Sequence, residues 1–321
     1  MGEFELIRRY FSAAACAQKT AGVAYGIGDD CALLEIPPGE QLAVSTDTLV
    51  VGVHFPDGCD PFLLGQRALA TTASDLAAMG AMPIGFTLAL TLSEADPAWL
   101  EAFARGLDHK ARSCGLALIG GDTTRGPLCL TLTVMGRVPQ GLALRRDGAR
   151  PGDLLCVGGP LGDAAGALQL ITGRRQAAAA IAEPLLASYW APRPQLALGL
   201  ELRGKASAAL DVSDGLLADC GHIARASGVA LYIEQERLPL SEALSALLHR
   251  EEALACALSG GDDYVLAFTL PEAFLAELQA QWPIQVIGRV EAGEGVHLLD
   301  GSGREIEARR QGYQHFGGSS D

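Results

Sequence analysis

Apolar positions along this chain recur at two spacings, alternating in short runs and returning every three to four residues in longer ones. The alternation in "GFTLALTL" (85–92) predicts a strand with one buried face, and "QLAVSTD" reads as a strand entering a loop. "DPFLLGQRALATTASDLAAMGA" has helical period, with Asp60 and Pro61 as a start signal and Gly80 and Pro83 as the stop. Residues 96–115 open with the same Asp-Pro pair and close on Gly, which predicts a second helix. Residues 4–15 read as a short amphipathic helix, and "LALIGGD" and "LCLTLTVMGRV" read as strands.

At "RRDGARPGD" (145–153) apolar residues give way to Gly, Pro and charge, which sets an expected division into domains 1–148 and 149–321. Alternation then resumes. "LLCVGG", "SAALDV", "ALYIEQ", "YVLAFTL" and "IQVIGRV" predict strands. Helices are expected from about 161, near 194–203, from Gly215, and over 272–282. The fold class is therefore mixed α/β in two halves.

The length of 321 residues suits two domains, and a hydrophobic content of 49% suits packed cores. A formal charge of −14 disfavours nucleic acid and anionic membranes as partners, because both select basic surfaces. Phosphate ligands stay open, since a divalent cation inverts the local sign. The eight cysteines are dispersed without a CxxC pair, so neither a zinc site nor a disulfide framework is expected. Charge interrupts the apolar residues of "MGEFELIRRYF", and no run is long enough to span a bilayer; a cytoplasmic chain is the expectation.

Against that background the placement of acid stands out. Carboxylates recur among Gly, Ser and Thr in "GIGDDC", "STDTLV", "GGDTT", "DVSDG" and "GGDDY". Singly, each suits a turn. Asp75 does not, because it lies within a predicted helix among Ala, Leu and Met. Asp30, Asp47, Asp75, Asp122, Asp211 and Asp214 fall at predicted strand ends or on one helix, and strand ends converge in α/β folds. Converging carboxylates repel, so they protonate or hold cations; oxygen donors without His or Cys suit Mg²⁺ or Mn²⁺. Glycines beside them let phosphate approach backbone amides. "GLELRGKA" (199–206) fits P-loop spacing up to Lys205, but Ala206 stands where Ser or Thr would hold Mg²⁺.

"GIGDDCA", "STDTLVVGVHF", "SDLAAMGA", "GGDTT", "DVSDGLLAD" and "GGDDY", in this order, resemble the thiamine-monophosphate kinases of the aminoimidazole ribonucleotide synthetase and selenophosphate synthetase superfamily. The resemblance implies two α/β domains, the first binding ATP and metal and pairing its sheet with that of a second subunit in a homodimer. It implies transfer of the γ-phosphoryl group of ATP to thiamine monophosphate with several Mg²⁺ ions, the last step of thiamine diphosphate biosynthesis. Carried over residue by residue, Asp30, Ser45, Thr46, Asp47, Asp75, Asp122, Asp211 and Asp214 match metal positions. Gly121, Asp122, Arg146 and Ser213 match ATP contacts, while His54, Asp262 and Phe316 match contacts to the thiamine nucleotide. No residue is expected to act as general base, because the acceptor phosphate is already ionised near neutral pH. The chain departs from the family where "GGDDYVL" replaces the usual "GGEDYEL", which shortens the acid at 262. Two rival readings are another ATP-dependent synthetase of the superfamily and a non-catalytic metal- or nucleotide-binding protein on this fold.

Overall fold

The computed structural model describes residues 3–18 and 20–307. In chain order its elements begin with α1 (Glu3–Leu6), a π-helical turn over Ile7–Ser12, and the small ladder of β1 (Val23–Tyr25) and β2 (Leu33–Leu34). Then follow β3 (Glu40–Val50), α2 (Pro61–Ala78), β4 (Met82–Leu92), α3 (Pro97–Cys114), β5 (Ala117–Arg125) and β6 (Cys129–Pro139). The second half contains β7 (Leu154–Val157), α4 (Asp163–Ile171), α5 (Ala179–Trp190), α6 (Leu196–Leu202), β8 (Ala208–Asp211), α7 (Leu216–Ser227) and β9 (Ala230–Glu234). It ends with α8 (Glu242–Leu247), α9 (Arg250–Ser259), β10 (Leu266–Leu270), α10 (Leu275–Gln279), β11 (Gln285–Glu291), β12 (Gly295–Leu299) and β13 (Glu305–Ile306).

Two compact units divide the chain: Met1–Leu76 with Gly80–Ala143, and Ala77–Met79 with Leu144–Asp321. In the first, four strands lie in the order β3-β6-β4-β5, with β4 and β5 parallel and the other neighbours antiparallel. Leu130, Leu132, Val134 and Val138 of β6 point into the core, and Thr131, Thr133, Met135 and Arg137, which alternate with the buried positions, are half-buried. One face of this sheet is therefore sealed. On the other, Leu42, Val44 and Met82 stay exposed.

In the second unit seven strands run β13-β12-β9-β11-β7-β10-β8. Alternate residues of single strands enter different cores. Leu155, Val157, Leu210 and Ala267 pack into one cluster, while Cys156, Ala209, Leu266 and Phe268 pack into another. A sheet covered on both sides explains why β7, β8 and β10 read as nearly continuous apolar runs.

The mixed α/β reading stands, with differences in detail. β3 does not stop at Asp47 but continues to Val50, because its β-branched Thr and Val pair residue for residue with β6, Glu40 opposite Pro139 through Val50 opposite Cys129. The expected helix over 4–15 is only α1 and a π-helical turn that buries Tyr10 and Phe11. That over 272–282 divides into a 3₁₀ turn, Glu272–Phe274, and the short α10.

Candidate active site

Alternation along β3 sorts its motif residues onto two faces. Thr46 and Thr48 turn to the open side, where their hydroxyls meet those of Thr133 and Thr131 at 2.9 Å each. Ser45 and Asp47 turn the other way, towards α2. The Ser45 hydroxyl donates to Asp75 Oδ2, which answers the question of what partners a carboxylate in that apolar helix. Burial, then the charge of Asp75, lifts the Asp47 carboxyl to about 6, against a hydrogen bond from Thr72 that lowers it. Two carboxylates thus repel at partial burial, with the Ser45 and Thr72 hydroxyls beside them. Mg²⁺ is commonly held by one or two carboxylates together with waters and substrate phosphates, so this donor set fits such an ion.

Asp30 and Asp122 lie elsewhere in the same unit. With Gly28, Gly121 and Thr123 they line a cleft of ≈ 850 Å³. Asp47, Leu132, Leu88 and Gly121 form one row across the sheet, which sets Asp47 three strand spacings, about 14 Å, from Gly121. Asp122 is opposite Ala89, in the row of Thr131 and Thr48. Accordingly, among the described residues no three His, Cys, Asp or Glu side chains gather closely enough to hold an ion by themselves. Gly121 has to be glycine: its φ is +155° and a Cβ there would lie 2.0 Å from the Leu88 carbonyl oxygen. His54 accepts the Val50 amide at Nδ1, 3.0 Å, so the neutral ring carries its hydrogen on Nε2.

In the second unit Asp211 ends β8, buried, and Ser213 and Asp214 follow in the turn before α7. Oδ2 of Asp219, in the first turn of that helix, accepts the amides of both Ser213 and Asp214 at 3.0 Å. Burial chiefly raises Asp219 to about 6, and the Arg146 guanidinium is among the groups that pull it back. Arg145, not Arg146, takes the ion pair with Asp147, which leaves the exposed Arg146 to be felt by Asp219 and His222. Asp262 is fastened to the same turn: its amide donates to the Ser213 carbonyl at 2.8 Å. Phe316 lies outside the described residues.

Motif reading passed over Thr72, beside Asp47 in the first unit, and Asp219, Asp263 and Tyr264, around the Ser213 turn in the second. Asp219 had a signal, an acid in the first helical turn after Ser-Asp-Gly, the position from which a side chain reaches back to orphan amides. Thr72 had none, since its role depends on the pairing of α2 with β3.

Comparison with known proteins agrees along the whole chain. Residues 28–138 match the family described as "AIR synthase related protein, N-terminal domain", and residues 150–301 match its C-terminal domain. Thiamine-monophosphate kinase of Escherichia coli (strain K12) is 46% identical over 98% of each chain. The crystal structure of thiamine-monophosphate kinase from Stenotrophomonas maltophilia K279a is 48% identical, with a TM-score of 0.85 over 93% of this chain and 96% of that one. "AaThiL complexed with AMPPCP and TMP" is 30% identical with a TM-score of 0.79, over 88% and 89%. The chain belongs to the AIR synthase-related family and, within it, to the thiamine-monophosphate kinases.

Proposed function

We propose that this chain phosphorylates thiamine monophosphate with ATP, giving thiamine diphosphate and ADP by direct in-line transfer. The observation that carries the reading is likeness over 98% of the chain to a protein of that activity, supported by a relative whose complex holds AMPPCP and TMP. Asp30, Ser45, Thr46, Asp47, Asp75, Asp122, Asp211 and Asp214 are assigned to Mg²⁺. When bound, the ions screen two anionic reactants from each other and draw charge off the departing ADP.

The chain's own groups do the rest. Gly121 bares its backbone where ATP is to lie, and Arg146 offers a guanidinium fork suited to phosphate oxygens. Because Asp219 already occupies the Ser213 and Asp214 amides, Ser213 is left its hydroxyl for the nucleotide. His54, Asp262 and Phe316 are assigned to the thiamine nucleotide. A phosphomonoester has a second pKa of about 6, so the acceptor needs no proton removed at neutral pH. Positioning and charge then account for the rate.

A homodimer through the first unit's sheet is supported by Leu42, Val44 and Met82, large apolar side chains left on an open face. Among the described residues no helix is long and apolar enough to cross a membrane, and a reaction consuming ATP suits the cytoplasm. Incubation with ATP, Mg²⁺ and thiamine monophosphate should yield ADP and thiamine diphosphate in equal amounts. ADP formed instead with aminoimidazole precursors would transfer the chain to the synthetases, and no turnover with either would make it a binding protein.

A further inference from the structure

Among the described residues two that are not glycine have φ in the left-handed region, and they flank one position: Asp262 at 61° and Tyr264 at 51°. Such conformations persist only where surroundings over-determine them. Here three attachments do so. The Asp262 amide donates to the Ser213 carbonyl and the Tyr264 amide to the Val212 carbonyl, each at 2.8 Å. Between them Asp263 turns its carboxylate inward and accepts the Gly162 amide, 2.9 Å to either oxygen, ahead of α4. Gly261 completes the fit, since a Cβ there would lie 2.5 Å from the Ser213 carbonyl oxygen.

The consequence is local. With both flanking residues left-handed, the Tyr264 side chain returns over Asp262, and its hydroxyl donates to Asp262 Oδ1 at 3.0 Å. An aspartate on an unbraced loop would sample several rotamers, whereas this carboxylate is braced at one oxygen. We propose that Tyr264 is a positioning residue for substrate selection, holding the Asp262 carboxylate in the orientation that meets the thiamine nucleotide, with Asp263 as the clamp that makes this possible. The proposal rests on the assignment of Asp262 to that substrate. Tyr264 touches no reacting atom in it.

Tyr264→Phe removes only the hydroxyl from a partly exposed residue and leaves the ring in place, so the variant is expected to fold with an unchanged unfolding midpoint. The KM for thiamine monophosphate should rise about tenfold, as expected for one hydrogen bond to a charged group. Meanwhile kcat and the KM for ATP should stay within about twofold. Asp262→Asn should raise the same KM at least as far, and the double variant should fall well short of the product of the two effects. A wild-type KM for thiamine monophosphate in Tyr264→Phe, with Asp262→Asn impaired, overturns the positioning role alone. Equal rises in both KM values with a lowered midpoint overturn it too, by making the hydroxyl merely structural. An Asp262→Asn variant with unchanged KM overturns the substrate assignment first and this proposal with it.

Discussion

Gly120 and Gly121 are neighbours in β5, and changing each to alanine separates packing from composition. A methyl group at Gly121 would sit 2.0 Å from the Leu88 carbonyl oxygen, while one at Gly120 meets only Thr87 Cγ2 at 3.7 Å. Carbon and oxygen rest no closer than about 3.3 Å even in the tightest favourable contacts, so β5 must move off β4 by more than roughly 1 Å. Overpacking of that kind costs about 1–3 kcal/mol, and the positive φ adds strain of a similar order. Gly121→Ala should therefore lose about 2–5 kcal/mol, or about 5–15 °C in unfolding midpoint. Gly120→Ala should stay within about 0.5 kcal/mol of the parent. Asp122 moves with its neighbour, and a displacement near 1 Å is enough to lower kcat/KM for ATP by about 100-fold in Gly121→Ala. Scanning calorimetry and steady-state kinetics on the two variants, side by side, provide the assay. Equal midpoints, or unchanged ATP kinetics in Gly121→Ala, would refute the claim that close approach to Leu88 is what requires glycine.

Asp75→Asn keeps the shape and the contact with Ser45 but removes the charge that helps raise the Asp47 carboxyl; turnover should fall by about 100-fold, and the Asp47 carboxyl, followed by NMR, should titrate lower than in the parent. Val44→Glu puts charge on the open sheet face without touching the core, and sedimentation should then report monomer if that face is where two copies meet. His297 donates from Nδ1 to the Glu305 carboxylate, which chiefly raises its pKa; the pair's contribution to stability is full below about pH 6.5 and is lost as pH rises through the raised value. In His297→Gln that stretch of the stability–pH curve should be flat, as read from denaturant midpoints across pH 5–9.

The regular elements were legible wherever one pattern dominated. α3 carries an Asp-Pro start, and its Asp96 side chain caps the Ala98 amide; it closes on the left-handed Gly115. β6 alternates without a break. Elements with a mixed signal were not. α5 contains Pro184, which cannot donate, and α9 has no single apolar stripe, its N-terminus being set by Glu252 reaching back to the His249 amide. At the candidate site the acids themselves were legible, but not their partners. Nothing within "STDTLV" announces that Ser45 and Asp47 face α2 while Thr46 and Thr48 face Thr133 and Thr131, because that follows from strand pairing ninety residues away in the chain.

The aspartates of the motif loops divide by what their oxygens already do. Asp219 gives one oxygen to two amides, Asp263 gives both to the Gly162 amide, and Asp29 takes the amide of Asp30 at 2.8 Å. These shape the backbone that presents their neighbours. Asp47 and Asp75 instead meet side-chain hydroxyls, of Thr72 and Ser45, rather than loop amides, and each feels the other's charge, which a cation or a proton relieves. Alternating the two kinds within single motifs, as in Asp29 with Asp30 or Asp262 with Asp263, has a physical reason. A short loop lacks the ladder hydrogen bonds that hold a strand, so a carboxylate placed there to meet a ligand keeps its direction only if another group satisfies the loop's amides. The density of acid that marks these loops in the sequence therefore overstates the charge offered to ligands, and the aspartates already bound to amides are those whose replacement should disturb geometry before it disturbs ion binding.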